Sequence, residues 1–299
     1  MPVVTEAQLR TALAQTKDRR FSPKPTVKAF GSLEASLREA IDSRRKALQQ
    51  LATVRPVHPR IPVELNEPFL IWVDPSTLPG DTPSLPSKWD YQIVPGASWV
   101  KIYINDSANL ADLENRGGQV DFYFMWQNPS AYLATINVST SLIIKGEVQV
   151  SSDQGTLSGD NNTVQLSSQL SLIEWWNQPP TYPFPEGSQR VDNIVYLSAT
   201  GGSIFGGSDI KAVNLFNAYD MSYSIFSVPP NGVAIFEVQL LYSYHTHNGN
   251  VTIELYGTDQ LNYYVMCPFV FVDVLTSPGV VGTEQGASKG AARTRHTAG

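Results

Sequence analysis

The stretch from Val233 to Leu255 constrains the fold of this chain most, because two independent signals in it agree. Apolar residues occupy every second position of its first half, so their side chains share one face of a strand. These residues are Ala234, Phe236, Val238, Leu240, Tyr242 and Tyr244. The pair Asn248-Gly249 then favours the type I′ turn of a tight β-hairpin. The sequence therefore predicts a hairpin at the centre of a β-sandwich or barrel, in which Tyr244 lies opposite Ile253 and Tyr242 opposite Leu255.

Residues 61–276 show further alternation and turn signals, which indicate a mainly β domain. The longest alternation runs from Ala131 to Val150, with apolar residues on one face and polar residues on the other. A straight strand of that length is unusual, so we expect a bend near Gly146 or a break near Ser139–Ser141. The predicted body is a jelly-roll-like β-sandwich of about ten to twelve strands.

Residues 1–60 differ from this body and predict a helical arm followed by a proline-rich linker. Thr5–Gln8 has the form of a capping box, and Ser32 is suited to cap a second helix that continues to about Ala52. This second helix would be about 30 Å long. Its apolar stripe, which Arg44 interrupts, either covers the chain's own sandwich or packs against copies of itself. In the second case the oligomerisation residues are Leu33, Leu37, Ile41, Leu48 and Leu51.

Charge is distributed unevenly along the 299 residues, whose formal net charge is −6. Residues 1–60 contain twelve Lys/Arg and five Asp/Glu, whereas residues 61–280 contain six Lys/Arg and twenty-one Asp/Glu. A short basic tail, residues 277–299, is rich in small and polar residues and is predicted to be disordered. A basic arm on an acidic body either binds a polyanion such as nucleic acid or lies on an acidic protein surface.

Two histidines in the predicted hairpin, His245 and His247, suggest one candidate metal site. With Glu254 across the turn they are similar to the histidine and carboxylate ligands of a cupin barrel. The interval from His247 to Glu254 is longer than in that motif, and its glycines are absent. We therefore expect surface histidines, and a cupin-like metalloenzyme is our third hypothesis.

The most unusual loop is rich in proline and aromatic residues, and it suggests a glycan-binding surface. Its candidate ligand-binding residues are Trp176, Tyr182 and Phe184, since aromatic rings stack on sugars. The alternative is that these rings fold back on the edge of the sandwich.

Sequence motifs of catalysis are missing from the chain. There is no nucleophile motif, and the glycine-rich stretch Gly201–Gly207 lacks the spacing of a phosphate-binding loop. The single cysteine, Cys267, lies in an apolar run and is expected in the core. We therefore expect no enzymatic activity and no cofactor.

A structural protein that self-assembles through its N-terminal arm is thus our first hypothesis, as a shell, capsid or fibre subunit. The plan of basic arm, acidic β body and basic tail is similar in layout to jelly-roll capsid subunits. A carbohydrate-binding or adhesive module is the second hypothesis. The chain has no apolar run long enough for a transmembrane helix, and its first residues lack the pattern of a signal peptide. We therefore expect synthesis in the cytoplasm, a homo-oligomer, and an arm that contacts a neighbouring subunit or a polyanion.

Overall fold

The computed structural model describes most of the predicted β body and none of the arm. The described residues are 60–75, 81–108, 115–153, 161–175, 184–185, 190–201, 207–257 and 261–275. Within these ranges the chain is mainly β and contains no helix, so it also offers no helix of the length and hydropathy that a membrane span requires. The predicted helical arm and the tail lie outside the described residues.

Fifteen strands are described, and three of them have only two or three residues. The strands of the first half are β1 (Arg60–Leu65), β2 (Leu70–Asp74), β3 (Thr82–Pro83), β4 (Lys88–Gln92), β5 (Trp99–Ala108), β6 (Asn115–Gln127) and β7 (Ala134–Ser152). Those of the second half are β8 (Asn161–Trp175), β9 (Phe184–Pro185), β10 (Arg190–Thr200), β11 (Asp209–Val228), β12 (Val233–His245), β13 (Gly249–Leu255), β14 (Tyr264–Met266) and β15 (Val270–Leu275).

Eight strands form the first sheet, sheet A, which is antiparallel and is organised around β7. One edge of β7 pairs with β11 along nearly its whole length. The other edge pairs in succession with β15, β14 and β13. Beyond these, β1 pairs with β15, while β5 pairs with β13 and β14 and carries β4 on its far side.

Seven strands form the second sheet, sheet B, in the order β10-β8-β12-β6-β2. The pairings along this order are antiparallel. The short strand β3 adds to β6 in parallel, and β9 adds to β8. Strand β12 lies in the centre, with β8 on one side and β6 on the other over all thirteen of its residues.

One hydrophobic core joins the two sheets. It contains the apolar side chains that alternation placed on one face of each long strand, such as Val148 and Ile253 of sheet A and Phe122 and Phe236 of sheet B. All four of these side chains are fully buried. The mainly β prediction for residues 61–276 is confirmed in the described ranges, and the fold is a two-sheet, sandwich-like arrangement.

The break that we expected near Ser139–Ser141 in the long alternation is wrong. Strand β7 continues without interruption for 19 residues, through both Ser139–Ser141 and Gly146. At position 146 there is no room for a side chain, because a Cβ atom there would lie 2.5 Å from the carbonyl oxygen of Glu254. The glycine therefore lets the end of β13 pack closely on β7.

The predicted central hairpin is also wrong, although both of its strands exist. Strand β12 belongs to sheet B and β13 belongs to sheet A, so the two strands share no ladder. Their apolar residues do meet, since Tyr242, Tyr244, Ile253 and Leu255 all lie in the core between the sheets. The chain therefore passes from one sheet to the other at Asn248-Gly249 instead of folding back within one sheet.

This corner is fixed by contacts to the end of β7 and the start of β8. Asn248 takes the left-handed conformation expected of a turn, with φ of 57°. Its carbonyl oxygen accepts a hydrogen bond of 2.9 Å from the backbone N–H of Asp153, and the N–H of His247 donates to the Asn162 side chain. A Cβ atom at Gly249 would lie 2.1 Å from the carbonyl oxygen of Ser151. The chain thus passes between the sheets twice at this end of the sandwich, from β7 to β8 and from β12 to β13, and the two passages are in contact.

Candidate functional site: buried carboxylates on the outer face of sheet B

The outer face of sheet B, which points away from the core, carries an unexpected group of buried polar residues. Side chains at the odd-numbered positions of β12 point to this face, because the even-numbered ones lie in the core. Two of them, Glu237 and Gln239, are only 4% and 5% exposed. The same face of β6 presents Asp121 and Tyr123, and both are fully buried.

Strand register brings these residues into two neighbouring rows across sheet B. In one row Glu237 lies between Ser171 of β8 and Tyr123 of β6. In the next row Gln239 lies between Gln169 and Asp121. Residues directly opposite one another in adjacent strands are close enough for their side chains to interact, so the rows form one polar cluster.

Asp121 is held by two amide side chains. Gln239 Nε2 donates to Asp121 Oδ1 at 3.0 Å, and Gln119 Nε2 donates to Asp121 Oδ2 at 2.8 Å. Gln169 Nε2 in turn donates to Gln239 Oε1 at 2.9 Å and to Ser171 Oγ at 2.9 Å. Each carboxyl oxygen of Asp121 therefore has a donor, and the network extends across three strands.

The second carboxyl, Glu237, is bound by a phenol. Tyr123 Oη donates to Glu237 Oε1 at 2.6 Å. Around this contact lies a small apolar cluster that is separate from the main core and includes Trp72, Val233 and Ile235. Apolar side chains thus border the polar rows on the same face.

Burial shifts the protonation equilibria of these groups strongly. It raises the pKa of Asp121 well above the usual value, and the nearby charge of Glu237 raises it further, although hydrogen bonds from Gln239 and Gln119 oppose the shift. Burial also raises the pKa of Glu237 to about 7, against the opposing hydrogen bonds from Tyr123 and Ser171. The pKa of Tyr123 is raised by its burial and then by the charges of Asp121 and Glu237.

Carboxyls with raised pKa values beside a tyrosine are groups that general acid–base catalysis uses. A catalytic role also requires that substrate reach them, and every member of this cluster is at most 9% exposed. Buried polar groups whose hydrogen bonds are satisfied within the protein stabilise one arrangement of strands. The cluster is therefore a closed polar network in this structure, not an open active site.

The predicted metal residues do not share a face as the hairpin prediction required. His245 lies at the end of β12 in sheet B, while Glu254 lies in β13 in sheet A, opposite Tyr103 and Glu147. The Glu254 carboxylate accepts hydrogen bonds from the N–H groups of Tyr256 at 3.1 Å and Gly257 at 2.7 Å. It therefore stabilises the turn that follows β13.

His247 lies in the corner between the sheets, and His245 has a buried Nδ1 atom without a hydrogen-bond partner among the described residues. Across the described ranges, no group of three His, Cys, Asp or Glu side chains is arranged to hold a metal ion. The metal hypothesis loses the strand pairing on which it depended.

Other predicted site residues fall mainly outside the described ranges. Trp176 and Tyr182 do so, as do the stripe residues Leu33, Leu37, Ile41, Leu48 and Leu51. The backbone of Phe184 is in β9, opposite Glu174 of β8. Cys267 is fully buried as expected, and burial raises the pKa of its thiol to about 12.

An exposed aromatic pair on edge strand β4 was not singled out by the sequence. Trp89 and Tyr91 are 46% and 45% exposed. Their ring centroids lie 6.0 Å apart, with an angle of 12° between the ring planes. The spacing of Trp89 and Tyr91 on either side of Asp90 indicates that the two rings share a face of a strand. It does not indicate that this strand, β4, lies at the edge of sheet A.

The sequence pattern indicated the buried carboxylates only weakly. Gln119, Asp121, Glu237 and Gln239 occupy the polar positions of alternating strands, which usually face water. Comparison with known proteins adds no assignment, because no protein family model and no curated protein matches this sequence.

Proposed function

We propose that this chain is a non-enzymatic structural protein that self-assembles through its N-terminal arm, as a shell, capsid or fibre subunit. We further propose that its two-sheet body is jelly-roll-like. The distribution of charge supports the role of the arm. Residues 1–60 contain twelve Lys/Arg and five Asp/Glu, so the arm is basic, whereas residues 61–280 contain six Lys/Arg and twenty-one Asp/Glu, so the body is acidic. Opposite charges of this size steer subunits towards each other.

One observation carries the structural reading of the body. Its cluster of buried carboxylates is closed to water and hydrogen-bonded internally, with Asp121 and Glu237 each held by neighbouring strands. Such a network stabilises strand register, which a rigid building block requires. Long strands of 19 and 20 residues, paired along nearly their full length, support the same role.

Light scattering after size-exclusion chromatography tests the proposal on the full chain. We expect an oligomer at micromolar concentration and low salt, and a lower mass at high salt, because salt screens exposed charges over a Debye length of about 10 Å at 0.1 M. The variant Arg19→Glu/Arg20→Glu should also lower the mass. Arg293→Glu/Arg295→Glu is the matched control, since it makes the same change of charge in the tail.

Two outcomes would overturn the proposal. One is a full-length protein that is monomeric at low salt, and the other is an equal loss of mass in the arm and tail variants. Nucleic acid that co-purifies with the oligomer and is lost with the arm variant would identify the polyanion as the arm's partner instead of a neighbouring subunit.

A second candidate function, glycan binding, has one observation in its favour. Trp89 and Tyr91 present two nearly parallel, half-exposed rings on strand β4. Aromatic faces of this kind stack on sugar rings. Binding of an oligosaccharide that Trp89→Ala abolishes, and that the exposed control Tyr132→Ala preserves, would favour this function.

A further inference from the structure

The outer face of sheet B requires a covering layer that sheet A does not provide. Sheet A packs on the opposite face, where the even-numbered residues of β12 lie in the shared core. Yet Val233, Ile235, Glu237 and Gln239 on the outer face are 1%, 0%, 4% and 5% exposed. The face is thus buried on the side away from the second sheet.

The chemistry of this face specifies its cover. Val233 and Ile235 form an apolar region at one end, and Leu70 and Trp72 of β2 continue it along the edge of the sheet. The Asp121 and Glu237 carboxyls lie beside this apolar region. A complementary cover therefore has an apolar surface interrupted by a polar side chain, because polar rows interrupt the apolar part of the sheet face.

The second predicted helix of the arm has this composition. Its apolar stripe extends from Leu33 to Leu51, and Arg44 lies within that stripe and not on the opposite side. A polar side chain within an apolar stripe is the counterpart of polar rows beside an apolar part of the sheet face. The predicted length of about 30 Å also suffices to cross the four strands β8, β12, β6 and β2, which are spaced about 4.8 Å apart.

The point at which the arm joins the body agrees with this placement. The described chain begins at β1, which pairs with β15 at the edge of sheet A. Residues 66–69 then lead directly to β2, the edge strand of sheet B. The arm therefore joins the body one strand before β2, which lies at the edge of sheet B.

We propose that the helix predicted over residues 33–52 covers the outer face of sheet B of its own chain, with the apolar stripe on the apolar part of the face and Arg44 on the side of the polar rows. The body then has three layers, two sheets and one helix. The basic residues from Arg10 to Lys28 are left for contacts with other molecules. This inference does not depend on the proposed assembly function.

Site-specific photocrosslinking of the full chain tests this placement. Cys267 is fully buried, so a cysteine introduced into the arm is the accessible thiol for a benzophenone maleimide. We expect Ile41→Cys to give crosslinks within its own chain to peptides of residues 117–127, 165–175 and 233–243. Glu39→Cys, two positions away on the opposite side of the helix, is the matched control and should give several-fold fewer.

Mixing labelled and unlabelled isotopic forms of the protein distinguishes crosslinks within a chain from those between chains. Crosslinks from position 41 to a second chain, to sheet A, or in equal yield from position 39 would overturn the proposal. The mass from light scattering remains an independent measurement, so a failed covering helix and a failed assembly function give different results.

Thiol protection supplies a second measurement. Ser171→Cys lies on the covered face, where Ser171 is 6% exposed, and should react slowly in the full chain. Adding Arg44→Glu should accelerate its reaction roughly tenfold by opening the cover. Ser222→Cys, at an exposed position of sheet A, should react fast in both backgrounds, and Cys267 should stay unreactive as a check of folding. Fast reaction of Ser171→Cys without Arg44→Glu would contradict the proposal.

Discussion

The central strands of the two sheets, β7 and β12, differ in what they present on their outer faces. On β7, outward side chains such as Lys145, Glu147 and Gln149 are half-exposed and alternate with buried core residues. On β12, outward side chains from Val233 to Gln239 are as buried as the inward ones. The outer face of sheet A thus meets water over much of its area, while that of sheet B is closed.

This difference shows that the same alternating pattern supports two kinds of surface. Glu147 and Glu237 are both glutamates at outward positions of a central strand, yet only Glu237 is buried and bound by a tyrosine. A polar residue at an alternating position costs little to keep in water, but it needs hydrogen-bond partners once it is covered. Mutations on the inner faces of the two sheets should therefore lower the free energy of unfolding by similar amounts. Mutations on the outer faces should cost more in sheet B than in sheet A.

The largest effect is expected on the inner faces. Phe236→Ala in sheet B should lower the free energy of unfolding by about 3–5 kcal/mol, and Ile144→Ala in sheet A by about 2–5 kcal/mol, because both remove fully buried side chains from one core. Urea denaturation measures both. A loss below about 1 kcal/mol for either variant would mean that its inner face is assigned incorrectly.

A matched pair of glutamines tests the outer faces. Gln239→Ala should cost about 1–3 kcal/mol, because it removes the donor to Asp121 Oδ1 and one acceptor of Gln169 Nε2 in a buried site. Gln149→Ala, at a half-exposed position of β7, should cost less than about 0.5 kcal/mol. Equal losses in the same denaturation assay would remove the distinction between the two faces.

The pH dependence of stability gives the smallest expected effect. The pKa of Glu237 is about 7 in the folded protein against an ordinary value of 4.5, so the folded state binds more protons between these pH values. The stability that protonated Glu237 contributes to the folded state is therefore fully present below about pH 4.5 and is lost as the pH rises through 7. Glu237→Gln should reduce the fall in stability over this window by about 1–2 kcal/mol. Glu147→Gln is the control, and an unchanged slope in Glu237→Gln would show that this carboxyl does not titrate as described.

Local pattern was sufficient to identify the long strands β7 and β12 and their inner faces. Alternation placed Phe236, Val238 and Tyr242 on one face of β12, and all three are in the core. Asn248 was identified as a turn residue, and its φ of 57° agrees. These features depend on neighbours in sequence, because side-chain period and turn chemistry are properties of a short segment.

The sequence alone determined which residues of this protein form strands, which faces are apolar and how charge divides between arm and body. Only the tertiary structure decided that β12 and β13 belong to different sheets, since a hairpin and a corner between sheets both bring their apolar faces together. It also decided that polar residues such as Asp121 and Gln239, 118 positions apart, share a hydrogen bond in a buried network. The physical reason is that pairing partners and coverage of a sheet face depend on segments far apart in the chain, which no local period encodes.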